Sequence, residues 1–146
     1  MNYFKKIFIT FLSALILTVV NTSSSFAKVE GDTIVLGAAV SLTGKYSSNG
    51  VHTQNGYNLA VERINSMGGV KVKGKNYKFK IIYYDDESNS GRAAQLAERL
   101  IKQDGVQYML GPYSSGLTKA MAPVTEKYKI PMVEANGASR SLFTKG

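Results

Sequence analysis

The hexapeptide Gly111-Pro-Tyr-Ser-Ser-Gly116 places two adjacent hydroxyls, Ser114 and Ser115, between a short β-forming run and an amphipathic stretch marked by Leu117, Met121, Val124 and Tyr128. A serine in the first turn of a helix lies among unpaired backbone N–H groups at the positive end of the helix dipole, which favours an anion there. Its hydroxyl adds a donor of adjustable direction. No Lys or Arg lies in the loop to match a higher charge, so the combination suits a carboxylate better than a phosphate. The same residues fit a plain N-cap in which the serine satisfies the helix itself. Chemistry alone leaves these two readings level.

Other candidate chemistries fail on spacing. Gly44-Lys45 resembles the end of a phosphate-binding loop, but the position of its first glycine is Ala39 and the residue after Lys45 is Tyr46. The G-x-G-x-x-G pattern of a dinucleotide site is absent. A nucleophile elbow needs G-x-S-x-G, and Pro112 stands where the first glycine should be. The single histidine, His52, supports neither a Ser-His-Asp set nor a multi-histidine metal site, and it reads as a surface or helix-end residue. With no cysteine there is no disulfide framework and no thiolate metal site. Asp85-Asp86 could hold magnesium or accept a phosphoryl group. The favoured reading is a polar strand end followed by the capping residues Ser88, Asn89 and Ser90. No catalytic residue, cofactor or metal is therefore expected.

The elements that must position these loops alternate. The apolar run Thr33-Ile-Val-Leu-Gly-Ala-Ala-Val40 suits a strand buried on both faces. After a polar loop over 41–49, Tyr57, Ala60, Val61, Ile64 and Met67 recur at helical spacing and end at Gly68-Gly69. Residues 70–76 read as a turn or short hairpin, and 77–84 as a second strand. Ala93, Ala97, Leu100 and Ile101 mark a second helix, 106–110 a third strand, Leu117 to Tyr128 a third helix and 130–133 a fourth strand. A further helix is expected to begin at Ser141. Such alternation means βαβ units, hence an α/β fold with a parallel sheet flanked by helices. In such sheets ligands bind beyond the C-terminal strand ends, which selects the loops 41–49, 85–91, 111–116 and 134–140.

The first 27 residues differ from the rest. Lys5 and Lys6 precede a 14-residue stretch from Ile7 to Val20 that is apolar apart from Thr10, Ser13 and Thr18. A polar region and Ser25-Phe-Ala27 follow, as in a cleaved secretory signal. The run is shorter than the roughly 20 residues needed to span a bilayer. Removing it takes two lysines from a formal net charge of +8, leaving +6 over residues 28–146. Lys71, Lys73, Lys75, Lys78 and Lys80 crowd one stretch. They read as a solvated loop and strand edge rather than a nucleic-acid surface.

In order and spacing, several segments resemble the branched-chain amino acid-binding group of periplasmic solute-binding proteins. These are Ser41-Leu-Thr-Gly44, Gly56-Tyr-Asn-Leu-Ala-Val-Glu-Arg-Ile-Asn65, Gly68-Gly69-Val70, Tyr84-Asp-Asp86, Ala93-Ala94 through Leu100, Gly111-Pro-Tyr-Ser-Ser-Gly116 and Ile130-Pro-Met-Val133. The resemblance implies a type I periplasmic-binding fold, two α/β lobes closing on a ligand about a hinge. Residues 28–146 would form part of its N-terminal lobe, and the chain reads as an N-terminal fragment of a longer protein. It also implies that Ser115, with Ser114 beside it, and the segment Asn136, Gly137, Ala138 and Ser139 hold a ligand's α-carboxylate and part of its ammonium. Tyr46 and Asn49 would line the cleft. Ala138 stands where many amino-acid binders carry threonine, and Asn49 where several carry an aromatic residue. Amino acids, amides and small carboxylates therefore remain open as ligands. The function implied is non-catalytic capture of an amino acid or similar small carboxylate in the periplasm and delivery to a membrane ABC permease. The ligand-binding ectodomain of a membrane receptor is the alternative. An exported enzyme is a third reading, and it would need a histidine or acid pair from outside this chain to approach Ser114 or Ser115.

Overall fold

The computed structural model describes residues 28–134 and 136–144, so the expected export signal lies outside the described residues. The elements are β1 (Val29–Glu30), β2 (Thr33–Val40), α1 (Ser47–Ser66), β3 (Val70–Val72), β4 (Lys75–Asp85), α2 (Ser90–Lys102), β5 (Met109–Leu110), α3 (Ser115–Lys127) and β6 (Met132–Val133), followed by a 3-10 turn at Arg140–Leu142. The strands form one sheet in the order β3-β4-β2-β5-β6, with β1 paired antiparallel to the start of β2. The ladders β2–β4, β2–β5 and β5–β6 are parallel, and β3–β4 is an antiparallel hairpin. The α/β parallel architecture expected from the alternation is the one observed.

Strand β2 is central because its residues can be buried on both faces: Val35, Ala38, Ala39 and Val40 have no exposed surface. Helix α2 begins at the N-cap Asn89, whose side chain accepts the Arg92 N–H at 2.9 Å. It buries Ala93, Leu96, Ala97 and Leu100, the i, i+3, i+4, i+7 stripe of one helical face. That stripe meets Val35, Ala39, Met109 and the Leu117 and Met121 of α3 in the main core. Helices α2 and α3 pack on each other, whereas α1 packs against β4 and β2. Elsewhere on the sheet, Ile34, Leu36, Phe79, Leu110 and Val133 line an open apolar hollow of about 360 Å³.

Three differences from the expected pattern have physical causes. Helix α1 starts at Ser47, ten residues before its first expected apolar contact, so Asn49 is helical rather than in a loop. Its first turns carry Ser, Asn, Gly and Thr, whose weak helical propensity conceals them. They are held by tertiary contact, since Gly50 lies so close to Ser41 that a Cβ would stand 1.8 Å from the Ser41 carbonyl oxygen. Strands β5 and β6 reduce to two residues each, because β5 pairs with β2 only at Gly37 and Ala38 and β6 pairs only with those two residues of β5. After Ser139 the chain makes a single 3-10 turn rather than a helix.

The lysine stretch falls on the β3–β4 hairpin and is exposed throughout. Lys75 pairs with Asp32, and Lys80 with Glu30 at 3.2 Å. At this exposure each pair is worth little.

Candidate functional site

From β2 the chain runs to β4 on one side, whereas from β5 it runs to β6 on the other, so the connections leaving β2 and β5 diverge. This is the switch point at which open α/β sheets form a crevice. At these strand ends a latch joins the loops after β2 and β4. Asp85 accepts the N–H groups of Leu42, Thr43 and Glu87 at 2.9, 3.2 and 2.9 Å, and the Thr43 hydroxyl at 2.7 Å. Burial alone would raise its pKa. The bonds from Glu87, Thr43 and Leu42 outweigh burial and hold the carboxyl below its ordinary value.

Asp86 beside it is fully buried. It accepts the Ser41 hydroxyl at 2.6 Å and the Ser88 N–H at 2.8 Å, both on Oδ1. Its Oδ2 has no hydrogen-bond partner among the described residues. Burial dominates here and pushes the carboxyl up, against the two bonds. Ser88 completes the latch, accepting the Tyr46 N–H at 3.0 Å and donating to the Thr43 carbonyl at 2.8 Å. Three of the four carboxylate oxygens of Asp85 and Asp86 are thus occupied by protein donors, in line with a polar strand end. Among the described residues, no group of three or more His, Cys, Asp or Glu side chains could hold a metal ion.

A cleft of about 390 Å³ is lined by Asn49, His52, Thr53, Gly56 and Tyr57 of α1, with Tyr113 and Asn136. The α1 residues follow i, i+3, i+4, i+7, i+8, so one helical face supplies them. Tyr57 donates to the Gly111 carbonyl at 2.7 Å, tying α1 to the loop after β5. Its phenol is pushed up to about 12, first by burial and then by the charge of Glu134. Tyr46 does not line the cleft. It packs on the core and meets Tyr113 edge-on, ring centroids 5.7 Å apart.

The loops after β5 and β6 meet each other. Ser114 is the N-cap of α3, its side chain accepting the Leu117 N–H at 3.4 Å, with φ at +83°. That backbone region is sparsely populated by residues other than glycine. Ser115 follows as the first helical residue, and its hydroxyl accepts the Ser139 N–H at 2.9 Å. This bond joins the two loops and leaves the Ser115 hydrogen available to an external acceptor. The Ser139 hydroxyl pairs with Ser141 at 2.8 Å.

One residue of this cluster was missed by sequence reasoning. Glu134 accepts the N–H groups of Asn136 and Gly137 at 2.6 and 2.5 Å on Oε1, and its Oε2 lies 2.7 Å from the Thr118 hydroxyl. Only the pattern of a lone acid at a strand end could have pointed to it.

The structure therefore brings Ser114, Ser115, Gly137, Ser139 and Asn136 into one cluster beyond the strand ends. Of the expected residues, Asn49 and Asn136 line the cleft itself. Ala138 is exposed and Tyr46 serves as packing. His52, expected at the surface, is exposed but faces the cleft, because α1 begins a turn earlier than its polar residues suggest. Thr53, Gly56, Tyr57 and Tyr113 were also missed. For the first three the signal was the helical spacing that continues from Asn49, whereas Tyr113 lies in the loop after β5.

Comparison with known proteins places this arrangement. A Leu/Ile/Val-binding protein of Rhizobium johnstonii, BraC3, is 27% identical over 85% of this chain and 32% of its own. The branched-chain amino acid transporter substrate-binding protein LivJ of Streptococcus pneumoniae, solved with isoleucine, superposes with a TM-score of 0.68 at 29% identity, over 75% of this chain and 30% of its own. A solute-binding protein of an ABC transporter from Rhodopseudomonas palustris, solved with 3,4-dihydroxybenzoic acid, superposes with a TM-score of 0.64 at 28% identity, over 76% and 29%. The chain spans about a third of the length of these relatives. The family model described as periplasmic binding protein matches residues 33–145, and with the strand order and the cleft at the switch point this shows that the chain belongs to the periplasmic binding protein family.

Proposed function

We propose that the protein captures an amino acid or related small carboxylate in the periplasm, without turnover, and delivers it to a membrane ABC permease. Residues 1–27 act as its export signal. The observation that carries this reading is the Ser115 hydroxyl, which accepts the Ser139 N–H and so keeps its own hydrogen for a ligand acceptor beside the cleft. Free N–H groups at the start of α3 add to the attraction for a carboxylate. The ligands bound by two similar proteins support the class: isoleucine in one case and an aromatic carboxylic acid in the other. Ser114, Asn136, Gly137, Ala138 and Ser139 shape the anchor around Ser115, with Asn49 lining the cleft.

The test is a thermal-shift screen of the mature full-length gene product over amino acids and related carboxylates. A ligand at 100 times its Kd stabilises the folded state by about 2.7 kcal/mol. Ser115→Ala should abolish or sharply reduce the shift for the best ligand. An unchanged shift removes Ser115 from the site, and turnover of that ligand would overturn the non-catalytic reading.

A further inference from the structure

Glu134 brings a carboxylate to the loops that would hold a ligand's carboxylate. It is half-buried, and among the described residues no Lys, Arg or His lies within ion-pair distance of it. Its charge is met only by neutral donors. Oε1 takes the Asn136 and Gly137 N–H groups, so these amides, which would otherwise form a nest for an external anion, are already filled. Oε2 has only the Thr118 hydroxyl, and that hydroxyl also lies 2.9 Å from the Ser114 carbonyl with a single hydrogen to give. A carboxylate offers about four acceptor positions, so Oε2 keeps capacity for a donor.

The charge is felt at the cleft. Asn136, whose N–H it holds, lines the cleft, and so does Tyr57, whose phenol it makes harder to ionise. The fold makes room for this charge, since a Cβ on Gly111 would stand 2.0 Å from Oε2.

We infer that Glu134 is a specificity-determining residue that makes the site select solutes carrying a cationic nitrogen and reject those that are only anionic. This rests on the solute-binding reading above and narrows it from small carboxylates to amino acids and other zwitterions. Ser115 and the start of α3 receive the anionic end, while the field of Glu134 favours the ammonium.

The experiment compares solutes differing by one charge on the mature full-length protein. The probes are hydrophobic L-amino acids, their des-amino carboxylates (L-leucine against 4-methylpentanoate) and succinate as a dianion, with Kd by calorimetry. The wild type should bind the best amino acid at least tenfold more tightly than its des-amino partner, and succinate should not bind. Glu134→Gln keeps an oxygen for the two N–H groups and removes the charge, and it should narrow the ratio at least tenfold. Thr118→Val keeps the charge and should leave the ratio unchanged, which separates charge from loop packing. If the Gln variant does not fold, Gly111→Ala displaces the carboxylate instead and should narrow the ratio likewise. Equal binding of both partners by the wild type, or a ratio that survives these two changes, overturns the inference while leaving solute binding intact. Absence of binding by every probe overturns solute binding and the inference with it.

Discussion

The approach of α1 to the end of β2 can be tested by placing one substitution twice in the same helix. A Cβ at Gly50 would stand 1.8 Å from the Ser41 carbonyl oxygen, 2.6 Å from its carbon and 3.0 Å from its Cα. To reach ordinary contact the helix must withdraw by roughly 1.5 Å. The obstacle is backbone, so no rotamer change relieves it. At Gly56, two turns on, a Cβ would meet nothing within 4 Å. Replacing glycine by alanine in a helix gains about 1 kcal/mol of propensity at either position. Overpacking against fixed structure costs about 1–3 kcal/mol, sometimes more. Gly56→Ala should therefore stabilise the ligand-free protein by about 1 kcal/mol, and Gly50→Ala should destabilise it by up to about 2 kcal/mol. Urea unfolding of both variants reads the signs directly. A Gly50→Ala variant at least as stable as the wild type would refute the close approach, and with it the reason that the polar first turns of α1 are helical.

Two more predictions follow from strained or buried groups. At Ser114 the positive φ costs about 1–3 kcal/mol for a residue with a Cβ, whereas glycine in place of a serine N-cap loses only a few tenths of a kcal/mol. Ser114→Gly should thus be more stable than Ser114→Ala by about 1–2 kcal/mol in thermal melts, and equal stability would contradict the assigned backbone. Asp86 sets a pH dependence of known sign. Burial holds its folded-state pKa above the ordinary 3.8, so the native state retains a proton that the unfolded chain has released. Its contribution to stability falls as pH rises from about 3.8 through the folded-state value. Asp85 acts oppositely, because its lowered pKa gives a contribution lost only as pH falls below the ordinary range. Subtracting urea midpoints of Asp86→Asn from those of the wild type across acidic pH should isolate the falling component, and a flat difference would show that burial does not raise the Asp86 pKa.

Features written as apolar periodicity were legible. The run at 33–40 became β2 with the same limits, and the alanine and leucine spacing of α2 placed its buried stripe. Features set by contact between distant segments were not. Polar residues and glycines at the start of α1 give no local sign that Ser41 will hold them, so the cleft-lining face from Asn49 to Tyr57 was read partly as loop. Strand β1 is two residues long and gains its structure only from pairing with β2. The clustering of Ser114 and Ser115 beyond a strand end was legible from strand order. The Ser115–Ser139 bond spans 24 residues, and no spacing rule foretells it. Glu134 escaped notice because an acid at a strand end is ordinary, and its meaning arises only from the two N–H groups that fold back onto it.

The latch of Asp85, Asp86 and Ser88 has a kinetic consequence. Because these side chains tie the 41–46 loop, which leads straight into the cleft-lining helix α1, the proposed solute would meet a helix face that is already held in place. Preorganisation of this kind lowers the ordering cost of association. Encounter rates should then vary little from solute to solute, and discrimination should appear in residence time. Cutting the latch at Ser88, which bonds to Thr43, Tyr46 and Asp86, should slow capture of every solute by a similar factor.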